Sequence, residues 1–243
     1  MRGVILAGGL GTRLSPLTNV CNKHLLPVYN KPMIYYPIET LVKAGISEIA
    51  VVVSGKRPGQ FIEILKNGEN FGLKNIVYLY QEGADRGIAD ALALTRNFAK
   101  NSNIVVILGD NTTDSDISQE VTNFENQKGA KLFLKKVPNP QKYGVPIFQD
   151  NKIIEIVEKP KVPPSDYAVT GLYFYDTQIY DFIEKCTPSG RGELEITDCN
   201  NYYIKSNQCQ FGILDGFWRD AGSFEGLFDA NKYWHDKFSI LEG

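Results

Sequence analysis

The chain has 243 residues, of which 43% are hydrophobic and 22% charged, the balance of one large or two small globular domains able to bury a full core. A formal net charge of −2 excludes a basic field that could hold nucleic acid, so any anionic ligand must be gripped by a few local groups. No apolar run approaches a membrane span and no signal-peptide pattern precedes the first strand, while four cysteines without a C-x-x-C pair (Cys21, Cys186, Cys199, Cys209) read as reduced thiols of a cytoplasmic protein rather than as a zinc site.

In chain order, Val4–Ala7 is a short apolar run with β-branched residues and reads as a buried strand. It runs into Gly8, Gly9 and Gly11, a loop whose backbone N–H groups can wrap an anion, and Arg13 and Lys23 add two positive charges. The residues alone allow two readings, a polyphosphate site or a tight turn with two solvated basic side chains. Next, Ile34, Ile38, Leu41 and Val42 predict a helix over 32–44 stopped by Gly45, and Ile49–Val53 a strand. Phe61, Ile62 and Leu65 mark a short helix, Asn75–Tyr80 a strand with Gln81 at its end, and 86–99 a helix. A strand at Ile104–Leu108 leads directly to Gly109–Asp110, followed by a helix through Ile117, Val121 and Phe124 and a strand at Lys131–Val137. This alternation over residues 1–137 predicts an α/β fold with a mostly parallel central sheet flanked by helices. In such sheets ligands lie beyond the carboxyl ends of the strands, a rule that gathers Gly8–Arg13, Gln81 and Asp110 into one crevice.

The rhythm changes after residue 138, where six prolines up to Pro164 crowd short strands. Tyr143–Phe148 and Ile153–Glu158 predict a hairpin, Val169–Tyr175 an aromatic-rich strand, 177–185 and 195–204 helices, Gln210–Leu214 a last strand and 223–234 a last helix. Residues 138–243 are expected to pack on the first part as an inserted β-rich lobe that binds the sugar or acceptor. Asp110, and Asp220 after the aromatic run 216–218, are two carboxylates that suggest magnesium beside a polyphosphate; each could equally be a turn or helix cap. Glu158–Lys159 and Arg191–Gly192–Glu193 read by themselves as surface ion pairs.

The strings LAGGLGTRL (6–14), NKHLLPVYNKPMIYYP (22–37), ILGDN (107–111), YGV (143–145), EKP (158–160), YAVTGLYFYD (167–176), RGELEITD (191–198) and FWRDAG (217–222) together resemble, in order and almost end to end, the sugar-1-phosphate nucleotidylyltransferases. YAVTGLYFYD and RGELEITD are specific to the thymidylyl branch, which acts on glucose 1-phosphate. The resemblance implies one Rossmann-like nucleotidyltransferase domain, with 1–137 as its nucleotide-binding part and 138–243 as its sugar-binding part, and a soluble, cytoplasmic, magnesium-dependent enzyme: dTTP and α-D-glucose 1-phosphate give dTDP-glucose and pyrophosphate, the first step towards dTDP-deoxysugars such as dTDP-rhamnose. It implies Arg13 and Lys23 as catalytic residues on the phosphates, and Leu6, Gly8, Gly9, Gly11, Thr12, Gln81 and Gly87 as the nucleotide site. Tyr143, Gly144, Glu158, Lys159, Val169, Tyr173 and Arg191 would hold the sugar phosphate, and Asp110 and Asp220 would hold Mg²⁺. It also implies a homo-oligomer.

Three features depart from the pattern. His24 stands where many longer relatives carry glutamine, which adds a titratable group beside the phosphates; it reads as structural, with a contact to phosphate or ribose as the alternative. The segment 82–88 differs around the base site, with Ile88 where leucine is usual, and the chain ends at Gly243, as in a short form without the C-terminal helices that carry an allosteric interface in longer members. Thymine and uracil differ by one methyl, worth only about 1–3 kcal/mol in a pocket, so UTP is expected as a secondary substrate and purine nucleotides are not. Rival readings are a UTP-dependent or other sugar-1-phosphate nucleotidylyltransferase, or a non-catalytic sugar-nucleotide-binding protein. A dinucleotide-dependent oxidoreductase is set aside, since GGLGTR lacks the G-x-G-x-x-G spacing and no acid ends the second strand.

Overall fold

The central strands are nearly continuous apolar runs, and helices cover both faces of the sheet they form. The computed structural model describes residues 1–55, 57–83 and 86–241; Ala84 and Asp85 of the segment 82–88, and the terminal Glu242 and Gly243, lie outside them. The strands are β1 (Arg2–Ala7), β2 (Pro27–Val28), β3 (Lys31–Pro32), β4 (Glu48–Ser54), β5 (Asn75–Gln81), β6 (Ile104–Leu108), β7 (Asn111–Thr113), β8 (Ala130–Lys136), β9 (Gly144–Gln149), β10 (Lys152–Glu158), β11 (Tyr167–Tyr175), β12 (Cys209–Ile213) and β13 (Trp218–Asp220). The helices are α1 (Tyr35–Lys43), α2 (Gly59–Leu65), α3 (Ile88–Ala93), α4 (Arg96–Ala99), α5 (Ser118–Phe124), α6 (Ile179–Ile183), α7 (Ile196–Lys205) and α8 (Phe224–Leu241).

One seven-stranded sheet runs in the order β12-β8-β11-β6-β1-β4-β5. β11 is antiparallel to both β6 and β8, and the other pairings are parallel, so β11 alone runs against the rest. Successive side chains of a strand point to opposite faces. Val4 and Leu6 therefore join Val52, Val106, Leu132 and Tyr173 under α3, α6 and α7, while Ile5 and Ala7 join Val51, Val105, Ile107 and Phe174 under α1, α2 and α5. A third cluster seats α8, through Ala230 and Trp234, on Leu14, Leu26, Val28, Met33 and Tyr36 of the long segment after β1.

The sequence places Lys131–Val137 in the parallel sheet, and β8 is there, but β11 from beyond residue 138 separates it from β6. The reason is burial: all of β11 after Tyr167 is buried, which only a strand covered on both faces permits. The helix expected over 86–99 is two, because the buried Thr95 donates its hydroxyl to the Leu92 carbonyl at 2.7 Å and breaks the turn. The helix expected from 32 starts at Tyr35, since the N–H groups of Met33 and Ile34 are spent on the carbonyls of Leu26 and His24. α8 runs seven residues past the predicted Trp234, to Leu241, along a face where Trp234 and Phe238 continue the third cluster.

Two small ribbons escape the sequence pattern. β2 pairs with β3, and β7 with β13 so that Asp220 lies opposite Asn111. That second ribbon sets Asp220 beside Asp110 although 110 positions separate them in the chain.

Candidate active site

The parallel strands β1, β4, β5 and β6 end together, and their last residues build the first wall of the site. Gly9 and Gly11 hold φ of 96° and 67°, a region that favours glycine, and the Gly9 N–H donates to Ser54 Oγ at the end of β4 (2.9 Å). A side chain on Gly8 would begin 3.1 Å from both Ser54 Oγ and Gln81 Oε1, so the missing Cβ leaves the ends of β4 and β5 open. Gln81 donates both hydrogens of its amide, to the Gly87 carbonyl (3.1 Å) and to Asp90 Oδ2 (2.8 Å). Both partners only accept, which fixes the amide orientation and leaves Oε1 as the atom Gln81 can offer a ligand. Gly87 itself (φ 97°) could carry no side chain without striking the Leu194 backbone. Leu6 keeps its side chain in the core and its carbonyl on the Gly109 N–H (2.9 Å), and Thr12 is exposed at the start of the turn that buries Leu14.

The second wall is charged. Lys23 Nζ donates to Asp110 Oδ2 at 2.5 Å, and Asn111 Nδ2 donates to Asp110 Oδ1 at 3.0 Å. Asn111 also accepts through Oδ1 from the Gly171 N–H (3.0 Å) and from Trp218 Nε1 (2.8 Å), tying β7, β11 and β13 at one side chain. Asp110, Asp220 and Arg13 converge on Gly222: a Cβ built there would lie 2.8 Å from Asp110 Oδ2, 2.9 Å from Asp220 Oδ1 and 3.3 Å from Arg13 Nη2. Burial pushes the Asp110 carboxyl up, but the charge and hydrogen bond of Lys23 with that of Asn111 outweigh it and hold the carboxyl below its ordinary range. Asp220 goes the other way, raised by burial and then by the charge of Asp110, against the opposing pull of Lys23 and the Gly222 N–H. Among the described residues no group of three or more His, Cys, Asp or Glu could hold a metal unaided. Two carboxylates facing one point fit a magnesium ion that takes its other ligands from phosphate oxygens and water.

His24 is 1% exposed, with Nδ1 2.7 Å from Asn22 Oδ1. Burial, then the neighbouring Lys23 charge, lowers its pKa to about 3, so the ring is neutral and structural at working pH.

The third wall carries the residues the sequence groups with a sugar phosphate. Gly144 and Glu158 face each other across the β9–β10 hairpin, and a Cβ on Gly144 would crowd Ile156 at 3.1 Å and Glu158 Oε2 at 3.5 Å. Glu158 accepts from Thr197 Oγ1 at 2.6 Å, and Lys159 Nζ and Arg191 Nη2 lie 3.4 and 3.6 Å from Glu158 Oε1. Tyr143 packs edge-on against Trp218, and its phenol is raised by burial and then by the charge of Asp220, which puts it between the hairpin and the acidic pair. Val169 and Tyr173 are 8% and 4% exposed; burial and then the Glu158 charge raise the Tyr173 phenol. Ser54, Asp90, Asn111, Thr197 and Trp218 were not predicted as site residues. Asn111 and Trp218 sit beside predicted aspartates in sequence, but nothing in the spacing of Ser54 or Asp90 announces a contact.

The chain is similar to known proteins along nearly its whole length. A nucleotidyl transferase family model matches residues 2–237. A glucose-1-phosphate thymidylyltransferase of Neisseria meningitidis is 42% identical over 238 residues, covering 96% of this chain and 82% of that protein. A Bacillus anthracis protein assigned as a glucose-1-phosphate thymidylyltransferase, solved with sucrose, is 45% identical with a TM-score of 0.91, over 96% of this chain and 94% of that one. A UDP-glucose pyrophosphorylase solved with UDP-glucose shares the fold at 24% identity and a TM-score of 0.85, over 97% of this chain and 98% of that one. The chain belongs to the nucleotidyl transferase family, alongside the glucose-1-phosphate thymidylyltransferases.

Proposed function

We propose that the protein transfers a thymidylyl group from dTTP to glucose 1-phosphate, releasing pyrophosphate and forming dTDP-glucose for deoxysugar synthesis. The observation that carries this reading is the convergence of Asp110, Asp220 and Arg13 on one point at Gly222, with Lys23 on Asp110. A sugar phosphate is largely dianionic at neutral pH, its second pKa being about 6, and needs no general base to attack phosphorus. The barrier is the approach of two anions, and the remedy is positioning with positive charge. Arg13, exposed and without an ion pair among the described residues, is available to the triphosphate and to the charge that develops on pyrophosphate. Lys23 spans Asp110 and the reacting phosphates. Asp110 and Asp220 would hold Mg²⁺, which supplies charge neutralisation at the phosphate oxygens.

Gln81 Oε1 accepts from the imide N–H of thymine, and the Gly87 N–H serves a ring carbonyl. Lys159 and Arg191 take the sugar phosphate, and Glu158 accepts from sugar hydroxyls, with Tyr143, Gly144, Val169 and Tyr173 around the ring. Pyrophosphate release across a grid of nucleoside triphosphates and sugar 1-phosphates, with and without magnesium, tests the reading. Turnover is expected with dTTP and glucose 1-phosphate, more slowly with UTP, and not with ATP or GTP; equal rates with purine nucleotides would sink it.

A further inference from the structure

Two cysteines outside the catalytic walls lie against each other. Cys186, half-buried in the turn after α6, and Cys199, buried in α7, bring their sulfurs to 3.3 Å. Cys186 also donates to the Phe182 carbonyl at 3.3 Å, so the Cys199 thiol is the donor towards Cys186 Sγ. We propose that Cys186 and Cys199 form a reversible disulfide-forming site that responds to hydroperoxides and adjusts the segment between them. A disulfide needs sulfurs about 2.05 Å apart, so the pair has about 1.2 Å to close. Cys199 is fixed in a packed helix, and the looser turn at Cys186 is the part that moves.

The chemistry is complete with a hydroperoxide as oxidant. With hydrogen peroxide, the Cys186 thiolate attacks one oxygen and breaks the O–O bond to give a sulfenic acid and hydroxide, which takes up the thiol's proton and leaves as water. The Cys199 sulfur then attacks the sulfenic sulfur, forming the S–S bond and releasing a second water; two thiols are oxidised and one peroxide reduced. The hydrogen bond from Cys199 lowers the Cys186 thiol pKa, which makes Cys186 the sulfur that attacks first.

The bridged segment touches both substrate walls. Leu194 exchanges backbone hydrogen bonds with Arg86 and Ala89 on either side of Gly87. Ser189 Oγ and Arg191 Nη2 share Glu195 Oε1, each at 2.8 Å, and Thr197 holds Glu158. A pull at the root of this segment shifts the Ser189 anchor and with it Arg191.

The test treats the full-length wild-type chain with hydrogen peroxide and measures intact mass and non-reduced peptides. Loss of two hydrogens, one peptide joining Cys186 to Cys199, and reversal by dithiothreitol are expected; Cys186→Ser and Cys199→Ser should each abolish the bridge, with circular dichroism reporting their folding. Stable over-oxidation of Cys186, or bridging through Cys21 or Cys209, overturns the site. The kinetic consequence rests on the proposed sugar-phosphate site: KM for glucose 1-phosphate should rise at least about fivefold on oxidation, with dithiothreitol restoring it. An unchanged KM in a fully bridged, active enzyme overturns the coupling, whereas absence of turnover in the reduced enzyme overturns the functional reading and leaves the mass result standing.

Discussion

Asp110 makes two side-chain bonds, to Lys23 and to Asn111, and faces Asp220 across Gly222. Asp110→Asn keeps the shape but removes the charge that pairs Lys23 and would hold the cation. Activity with saturating magnesium should fall by about 10² or more, measured by pyrophosphate release. Gln81 depends on Asp90 in a different way: Asp90→Ala frees one amide hydrogen and the orientation of the group. A hydrogen bond to a charged partner is worth about 1.5–3 kcal/mol, so KM for dTTP should rise roughly tenfold or more while kcat changes little. His24 gives a pH prediction. Its pKa is lowered from 6.5 to about 3 on folding, so below pH 6.5 the unfolded chain binds a proton that the folded chain refuses. Stability is then lost as pH falls from 6.5 towards 3, by at most about 1.4 kcal/mol per unit. Asp110, held low in the fold, adds to the loss only below the ordinary carboxylate range. Melting curves of His24→Gln should therefore be flatter than wild type between pH 6.5 and 5, the window where His24 titrates alone of the two.

At the scale of elements, the β7–β13 ribbon and α8 decide where Asp220 stands. α8 begins four residues after Asp220 and is anchored by Trp234 in the third cluster, by Asn231 on the Tyr29 N–H (2.7 Å) and by Lys237 on Asp114 (2.6 Å). Asp114 also accepts from the Phe217 N–H at 2.7 Å, which ties the helix back to the ribbon. Trp234 is 7% exposed, and truncating a buried Trp costs about 3–5 kcal/mol. Trp234→Ala should lower the unfolding free energy read from urea melts by that amount and weaken magnesium activation, because the helix that braces Asp220 loses its anchor. Normal magnesium dependence in a destabilised variant would confine α8 to stability.

For the whole molecule, two carboxylates alone make an incomplete cation site. Magnesium by itself should shift the melting temperature little, whereas magnesium with dTTP at about 100 times its Kd should add about 2.7 kcal/mol, or roughly 5–10 °C for a chain of this size. Chelation should remove both that shift and turnover. Much of this protein was legible before folding: short continuous apolar or aromatic runs place β1, β4, β5, β6 and β11, and the strand-end rule gathers Gly8, Gln81 and Asp110, because the first depends on local composition and the second on a general property of parallel sheets. Motif strings named the residues of the three walls. What the sequence could not contain was long-range pairing. The insertion of β11 between β6 and β8, the ribbon that sets Asp220 beside Asn111, the Asp90 carboxylate that turns the Gln81 amide, and the contact of Cys186 with Cys199 all join residues by packing and hydrogen bonds that no spacing encodes. Periodicity determines which face of an element is buried; only the assembled tertiary structure determines what it is buried against.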